Sequence, residues 1–251
     1  MCTLSFVPRN DGYLVAMNRD ELRTRLPALQ PRVFDLNSIE VMYPREPAGG
    51  AWIASNAAGN LLALLNWNDV DSEMPGAKLQ TRGAVIPKLI AETSSMGVAL
   101  RFQELDLWGM LPFRLIGIFL QEQSVHQWRW DGTRLTDVQS SWTRLHWFSS
   151  GLSDALAQKH RHRTCEAAAQ ESDAWDEAWL AKVHRSHAPA PGAYSICVHR
   201  ADASTVSHTL VRCAPRYISM SYLEGNPCYK DGRDAMAAIA LRKTLVQGVC
   251  A

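Results

Sequence analysis

The residue best placed for covalent chemistry is Cys2, next to the initiator methionine. Cysteine is small enough for the methionine ahead of it to be trimmed. Trimming would leave a free α-amino group, whose ordinary pKa of about 7.7–8.0 suits it to act as base for its own thiol. A nucleophile of this kind needs a cation to favour the thiolate and a carboxylate to orient the ammonium. The run Asn18-Arg19-Asp20-Glu21 offers both. The competing reading makes Cys2 a small buried strand residue and Asn18 to Glu21 a solvated strand end.

Two hairpins must position these groups. Leu4–Val7 reads as an apolar strand, Asn10-Asp11-Gly12 as a turn and Tyr13–Met17 as the return strand. That return strand carries Asn18–Glu21 back toward the chain start. Ala51–Ala54 and the wholly apolar Leu61–Leu65 form a second hairpin around Ala58-Gly59-Asn60. Residues 22–48, rich in Pro, Arg and Asn, read as an ordered loop. Helices are expected over 83–95 and 97–106, from Ser150 past Cys165, over about 173–185, and at Asp234–Arg242. Further strands are expected at Phe113–Leu120, at Val125–Trp130 with its Asp131-Gly132 turn, and at Tyr217–Leu223. Tyr194–His199 and Val206–Arg212 are expected to pair. Strands come first and last with helices between, and no linker divides the chain. The expectation is one α+β domain over 1–251, built of stacked sheets flanked by helices.

Composition narrows the function. The chain has 251 residues, with 26 Lys plus Arg against 25 Asp plus Glu, a net charge of +1. A general polyanion binder carries a basic excess, so nucleic acid is not an expected partner. No secretory leader or membrane-length apolar run is visible, and six cysteines in a chain this long fit reduced thiols. A cytoplasmic location is expected. No Cys-x-x-Cys pair exists and no His/Cys group has zinc-ligand spacing, so no metal is expected. Cys165, Cys197, Cys213 and Cys228 read as small buried residues. His160-Arg161-His162 reads as a solvated helix face, and His184 and His187 as partners of carbonyls at a helix end. Gly49-Gly50 is a turn before a strand, not a phosphate loop.

Several motifs recur together in order: Met1-Cys2-Thr3, Asn18–Glu21, Gly49-Gly-Ala-Trp-Ile53, Leu64-Leu-Asn66 and Thr81-Arg-Gly83. With His184-Arg-Ser-His187 and Pro191–Cys197, they resemble the NRDE family, also called the transport and Golgi organisation 2 family. That family in turn resembles the N-terminal-nucleophile hydrolases, with cholylglycine hydrolases and penicillin V acylases nearest in layout. The resemblance implies a four-layer αββα sandwich and Cys2 as nucleophile. The hydrolases have Arg where this chain has Asn18 and Asp where it has Glu21. The carboxylate is therefore kept in kind, while the guanidinium moves one place, to Arg19, onto the other face of the strand. Asn66 resembles the oxyanion-hole Asn, and is otherwise a strand-end Asn closing a turn. Ser149 or Ser150 stands where the hydrolases place another site Asn, and Ser150 alternatively caps the helix that follows. A remaining hydrolase Arg has no firm counterpart, Arg185 being the nearest candidate.

Two functions from different classes follow. The first is a cysteine amidohydrolase or acyltransferase for a small-molecule amide, using Cys2, Arg19, Asp20, Glu21, Asn66 and Ser150 and no cofactor. The second is a non-catalytic carrier of haem or an acyl group, with a pocket lined by the Trp-rich region between Trp108 and Trp179. The state of the mature N-terminus separates them.

Overall fold

The computed structural model describes residues 2–70, 79–171, 174–229 and 237–244. Thirteen strands form two antiparallel sheets, with helices outside them. The first sheet contains β1 (Cys2–Arg9), β2 (Gly12–Leu22), β10 (Leu145–Ser149), β11 (Ala203–Cys213), β12 (Tyr217–Glu224) and β13 (Ala237–Arg242). Their order is β10-β1-β2-β11-β12-β13. The second contains β3 (Leu29–Leu36), β4 (Ile39–Arg45), β5 (Ile53–Asn56), β6 (Leu61–Asn66), β7 (Phe113–Phe119), β8 (Ser124–Trp130) and β9 (Leu135–Ser140), in sequence order.

Three apolar layers hold the sandwich. Leu4, Phe6, Val15 and Met17 of the first sheet meet Ile53, Leu61, Ala63 and Ile116 of the second in a central core. The outer face of the second sheet packs Leu62, Leu64 and Leu115 on α1 (Val85–Leu89) and α2 (Ser95–Gln103). The outer face of the first packs Leu14, Ala16 and Phe148 on α3 (Asp154–Ala168) and α4 (Glu177–His184). Both sheets are covered on both faces, which is why nine consecutive residues of β2, Gly12 to Asp20, are buried. The result is the expected αββα sandwich. Among the described residues, no helix is long and apolar enough to cross a membrane.

Four expectations change. Residues 22–48 are not a loop, because β3 and β4 form a hairpin there. Asn37 and Ser38 turn it with φ of 54° and 64°, the left-handed pair that suits a two-residue hairpin. Pro31 is tolerated because β3 is the sheet's edge strand. The expected helices of 83–95 and 97–106 shorten to α1 and α2, and the Ser94 hydroxyl caps α2 by accepting from Gly97 N–H at 3.0 Å. Tyr194–His199 does not pair as a strand, since β11 already has β2 on one side and β12 on the other. It forms a strap that meets the start of β11 through one bridge, His199 to Ser204, and through Val198 N–H, which donates to Thr205 Oγ1 at 2.8 Å. Finally, Ala237–Arg242 is a strand and not a helix, paired with β12. Asp234 to Met236 lie outside the described residues.

Candidate active site

Register explains how Cys2 and Arg19 meet. In the β1–β2 pair, Cys2 stands opposite Arg19 and Thr3 opposite Asn18. Directly opposed residues of an antiparallel pair share a face. Arg19 therefore projects on the Cys2 side, whereas Asn18 and Asp20 project toward the helices. Cys2, Arg19, Asp20, Glu21 and Asn66 line one cavity of about 370 Å³, together with Glu46, Trp52 and Arg82.

The Arg19 guanidinium is fixed from three sides. It donates to Glu46 Oε1 at 2.7 Å and Glu21 Oε2 at 3.3 Å, and lies 4.3 Å over the Trp52 ring. Burial pushes the Cys2 thiol up and the negative charge of Asp20 adds to this, while Arg19 and the Asp20 backbone N–H, which donates to the sulfur, pull it down. Burial also lowers the Arg82 guanidinium, against the attraction of Glu21 and Cys2.

Arg82 is placed by two glycines. A Cβ on Gly50 would lie 3.2 Å from Gly83 Cα, and one on Gly83 would lie 3.1 Å from Gly50 Cα. The bare backbones approach closely enough for Ala51 N–H to donate to Gly83 carbonyl at 3.0 Å. This contact joins the Gly49-Gly50 turn to Thr81-Arg82-Gly83 and brings Arg82 to the cavity.

Behind the cavity lies a residue that sequence reasoning missed. Arg161 of α3 is fully buried, not solvated as expected. It donates to the Cys2 carbonyl at 3.2 Å, Thr3 Oγ1 at 2.8 Å and Ala193 carbonyl at 3.1 Å, and pairs with Asp20 at 3.5 Å. Arg185, the sequence candidate for a second site arginine, only closes α4. No local signal marks Arg161, because its neighbours His160 and His162 are polar and helical. Burial raises the Asp20 carboxyl, while Arg161 and the Thr205 hydroxyl, which donates to Asp20 at 2.6 Å, favour its charged form. Burial likewise lowers Arg161, and Asp20 pulls it back.

The two serines separate. Ser149 Oγ accepts from the Cys2 backbone N at 2.9 Å. Ser150 does not line the Cys2 cavity. Its N–H donates to Asp154 Oδ1 at 2.6 Å and its hydroxyl accepts from Leu152 N–H. Nor does Ser150 cap α3, a task that falls to Ser153, which accepts from Leu156 N–H at 3.2 Å. Asn66 ends β6 on the cavity wall, with its carbonyl near Arg114, which also donates to Phe148 carbonyl at 2.6 Å.

Residues 1–188 match the family model described as Transport and Golgi organisation 2. The chain belongs to that family. No curated protein sequence matches this member of the family. Among solved structures, it is similar to a cysteine-to-alanine mutant of conjugated bile acid hydrolase from Clostridium perfringens. That likeness has 10% identity and a TM-score of 0.58, covering 95% of this chain and 92% of the hydrolase. An arginine-to-leucine variant of the same hydrolase is similar at 10% identity and a TM-score of 0.54, with both chains fully covered. This member of the family thus has the N-terminal-nucleophile hydrolase fold.

Other expected features of the family member fall elsewhere. The tryptophans after Trp108 mostly enter the cores: Trp128 and Trp130 under α2, Trp147 between the sheets, and Trp179 against α3. His184 does not bond a helix-end carbonyl. It bonds Ser5 Oγ at 2.9 Å and Asn18 Oδ1 at 3.1 Å. Cys2, Cys165, Cys197, Cys213 and Cys228 are free thiols, with Cys228 only partly buried.

Proposed function

We propose that this protein is a cysteine N-terminal-nucleophile amidohydrolase or acyltransferase acting on a small-molecule amide. The observation that carries the reading is that Cys2 lines one cavity together with Arg19, Arg82 and Asn66, while Ser149 Oγ sits 2.9 Å from the Cys2 nitrogen. Once Met1 is removed, that nitrogen is an α-amine already held by a hydroxyl acceptor. The amine takes the thiol proton, and the sulfur attacks the amide carbonyl. The tetrahedral oxyanion accepts from the Asn66 side-chain N–H, a type of contact worth about 3–4 kcal/mol. Collapse breaks the C–N bond, and the ammonium returns its proton to the leaving amine. Water then hydrolyses the thioester, or an acceptor amine takes the acyl group.

Arg19 pulls against the burial that leaves the Cys2 thiol raised, and the negative charge of a Cys2 thiolate in turn favours the Arg82 guanidinium. Arg161 acts one layer behind, clamping the carbonyl of Cys2 itself. The haem or acyl carrier reading has less support, because Trp52 lines this cavity while most of the later tryptophans pack in the cores.

The test begins with the intact mass of the native protein. We expect Met1 to be absent and Cys2 to be labelled first by substoichiometric iodoacetamide, located by peptide mapping. Turnover of a panel of N-acyl amides should vanish in Cys2→Ala. Retained Met1, with preferential labelling at Cys165 or Cys228, would refute the nucleophile.

A further inference from the structure

The fold gathers a second group of soft donors outside the Cys2 cavity. His187 follows α4, Cys197 and His199 lie on the strap beside β11, and Cys228 sits beyond β12. One ligand atom from each of the four lies within 4.8 Å of all the others. His199 Nε2 is 3.0 Å from His187 Nε2, 3.6 Å from Cys197 Sγ and 3.2 Å from Cys228 Sγ. A ring nitrogen carries at most one proton. It therefore cannot donate to three acceptors, whereas a cation at the centre satisfies all four lone pairs at once.

The dimensions point to zinc. Zn–S bonds of about 2.3 Å and Zn–N bonds of about 2.0–2.1 Å, set tetrahedrally, space the ligand atoms about 3.3–3.8 Å apart. Of the three separations above, 3.6 Å falls within that range and 3.0 and 3.2 Å fall just short of it. The far ring nitrogen, His199 Nδ1, meets the Tyr229 hydroxyl at 3.5 Å, the kind of outer partner that orients a metal-bound imidazole. Local spacing hides the site, because its ligands come from three separate stretches of chain.

We propose that His187, Cys197, His199 and Cys228 bind one Zn²⁺ in a closed Cys₂His₂ site. Binding replaces the two thiol protons, which pass to solvent, and needs no oxidant. Four protein ligands leave no open position, so the role is structural. The ion ties the strap to the segment after β12. The strap in turn supplies the Ile196 carbonyl to Asn18, and Ala193 just ahead of it supplies its carbonyl to Arg161. Between the two strap ligands, Val198 N–H donates to Thr205 Oγ1, which donates to Asp20. The site thus braces the layer behind Cys2 without touching substrate.

The experiment uses the full chain, purified without chelator and assayed for metal by mass spectrometry. One zinc per chain is expected. The zinc-stripped, reduced protein should then take up a single equivalent of Co²⁺, giving the intense visible and thiolate charge-transfer bands of tetrahedral cobalt, and Zn²⁺ should displace it. Cys228→Ser and His187→Ala should weaken binding by more than the 10–100-fold typical of losing an outer partner. Cys2→Ala should bind normally. Zinc should also shield Cys197 and Cys228 of the wild-type protein from alkylation, a readout that needs no variant. Weak octahedral cobalt bands, uptake that depends on Cys2, or a Cys197–Cys228 disulfide with no metal bound after its reduction would each overturn the proposal.

Discussion

Arg161 and Asp20 meet 3.5 Å apart in a layer where both side chains are inaccessible to solvent. The pair bridges α3 and β2, and Arg161 reaches on to the Cys2 carbonyl and Thr3. Two buried charges cost several kcal/mol to desolvate. Thr205 bonds Asp20 Oδ1 and the guanidinium NH groups reach Thr3 and three carbonyls, but Asp20 Oδ2 and Arg161 Nε have no hydrogen-bond partner, so the mutual attraction of the two charges must offset most of that cost.

Removing one partner leaves the other charge buried alone. Arg161→Met or Asp20→Leu should each destabilise by about 3–5 kcal/mol. For a chain of this length that is a drop in Tm of roughly 6–20 °C. The double variant should recover much of the loss, because no lone charge remains. Thermal melts of the two singles and the double close the cycle, and additive losses would show that the two side chains act independently.

Arg19 sits opposite Cys2 in register, and its charge favours the thiolate. Arg19→Ala should therefore raise the Cys2 pKa and slow alkylation several-fold at neutral pH. Arg19→Lys keeps the charge but loses the fork that grips Glu46 and Glu21, so its effect should be intermediate. The pH profile of Cys2 alkylation in folded protein measures this. Superimposed profiles for all three proteins would remove Arg19 from thiol activation.

The parts of the fold that sequence reading recovers are those where local chemistry and tertiary demand agree. Asn10-Asp11-Gly12 turns the β1–β2 hairpin, and Asp131-Gly132 turns β8 into β9, because each flanks alternating or apolar strands. Ala237–Arg242 misleads because alanine-rich sequence favours helix, whereas the edge of β12 draws it into a ladder. Register decides Arg19: a shift by one residue looks like a change of face until Cys2 is paired opposite it. Arg161, in a polar helical run, and the His187–Cys228 group, spread over distant segments, are sites made only by packing.

The last prediction concerns acid. Asn18 Oδ1 accepts from the Nδ1–H groups of His184 and His208, at 3.1 and 2.8 Å. Ser5 donates to His184 Nε2 at 2.9 Å and accepts from His146 Nδ1–H at 2.9 Å. These tautomers follow from pairing every donor with an acceptor. All three rings are neutral in this network, and burial is the main cause: it pushes His146 and His208 down to about 4 and His184 well below its usual range. In the unfolded chain each titrates near 6.5. The folded pKa is the lower one, so the unfolded state binds more protons over this interval. Stability from the network is therefore complete above about pH 6.5 and declines as pH falls toward 4. The slope approaches about 1.4 kcal/mol per pH unit for each histidine fully charged in the unfolded state only. Urea unfolding between pH 7.5 and 4.5 should show this fall. His208→Gln, which keeps a donor for Asn18 without a titrating ring, should make it shallower. A stability curve flat from pH 7 to 5 would mean that the three histidines are already charged, or exposed, in the folded protein.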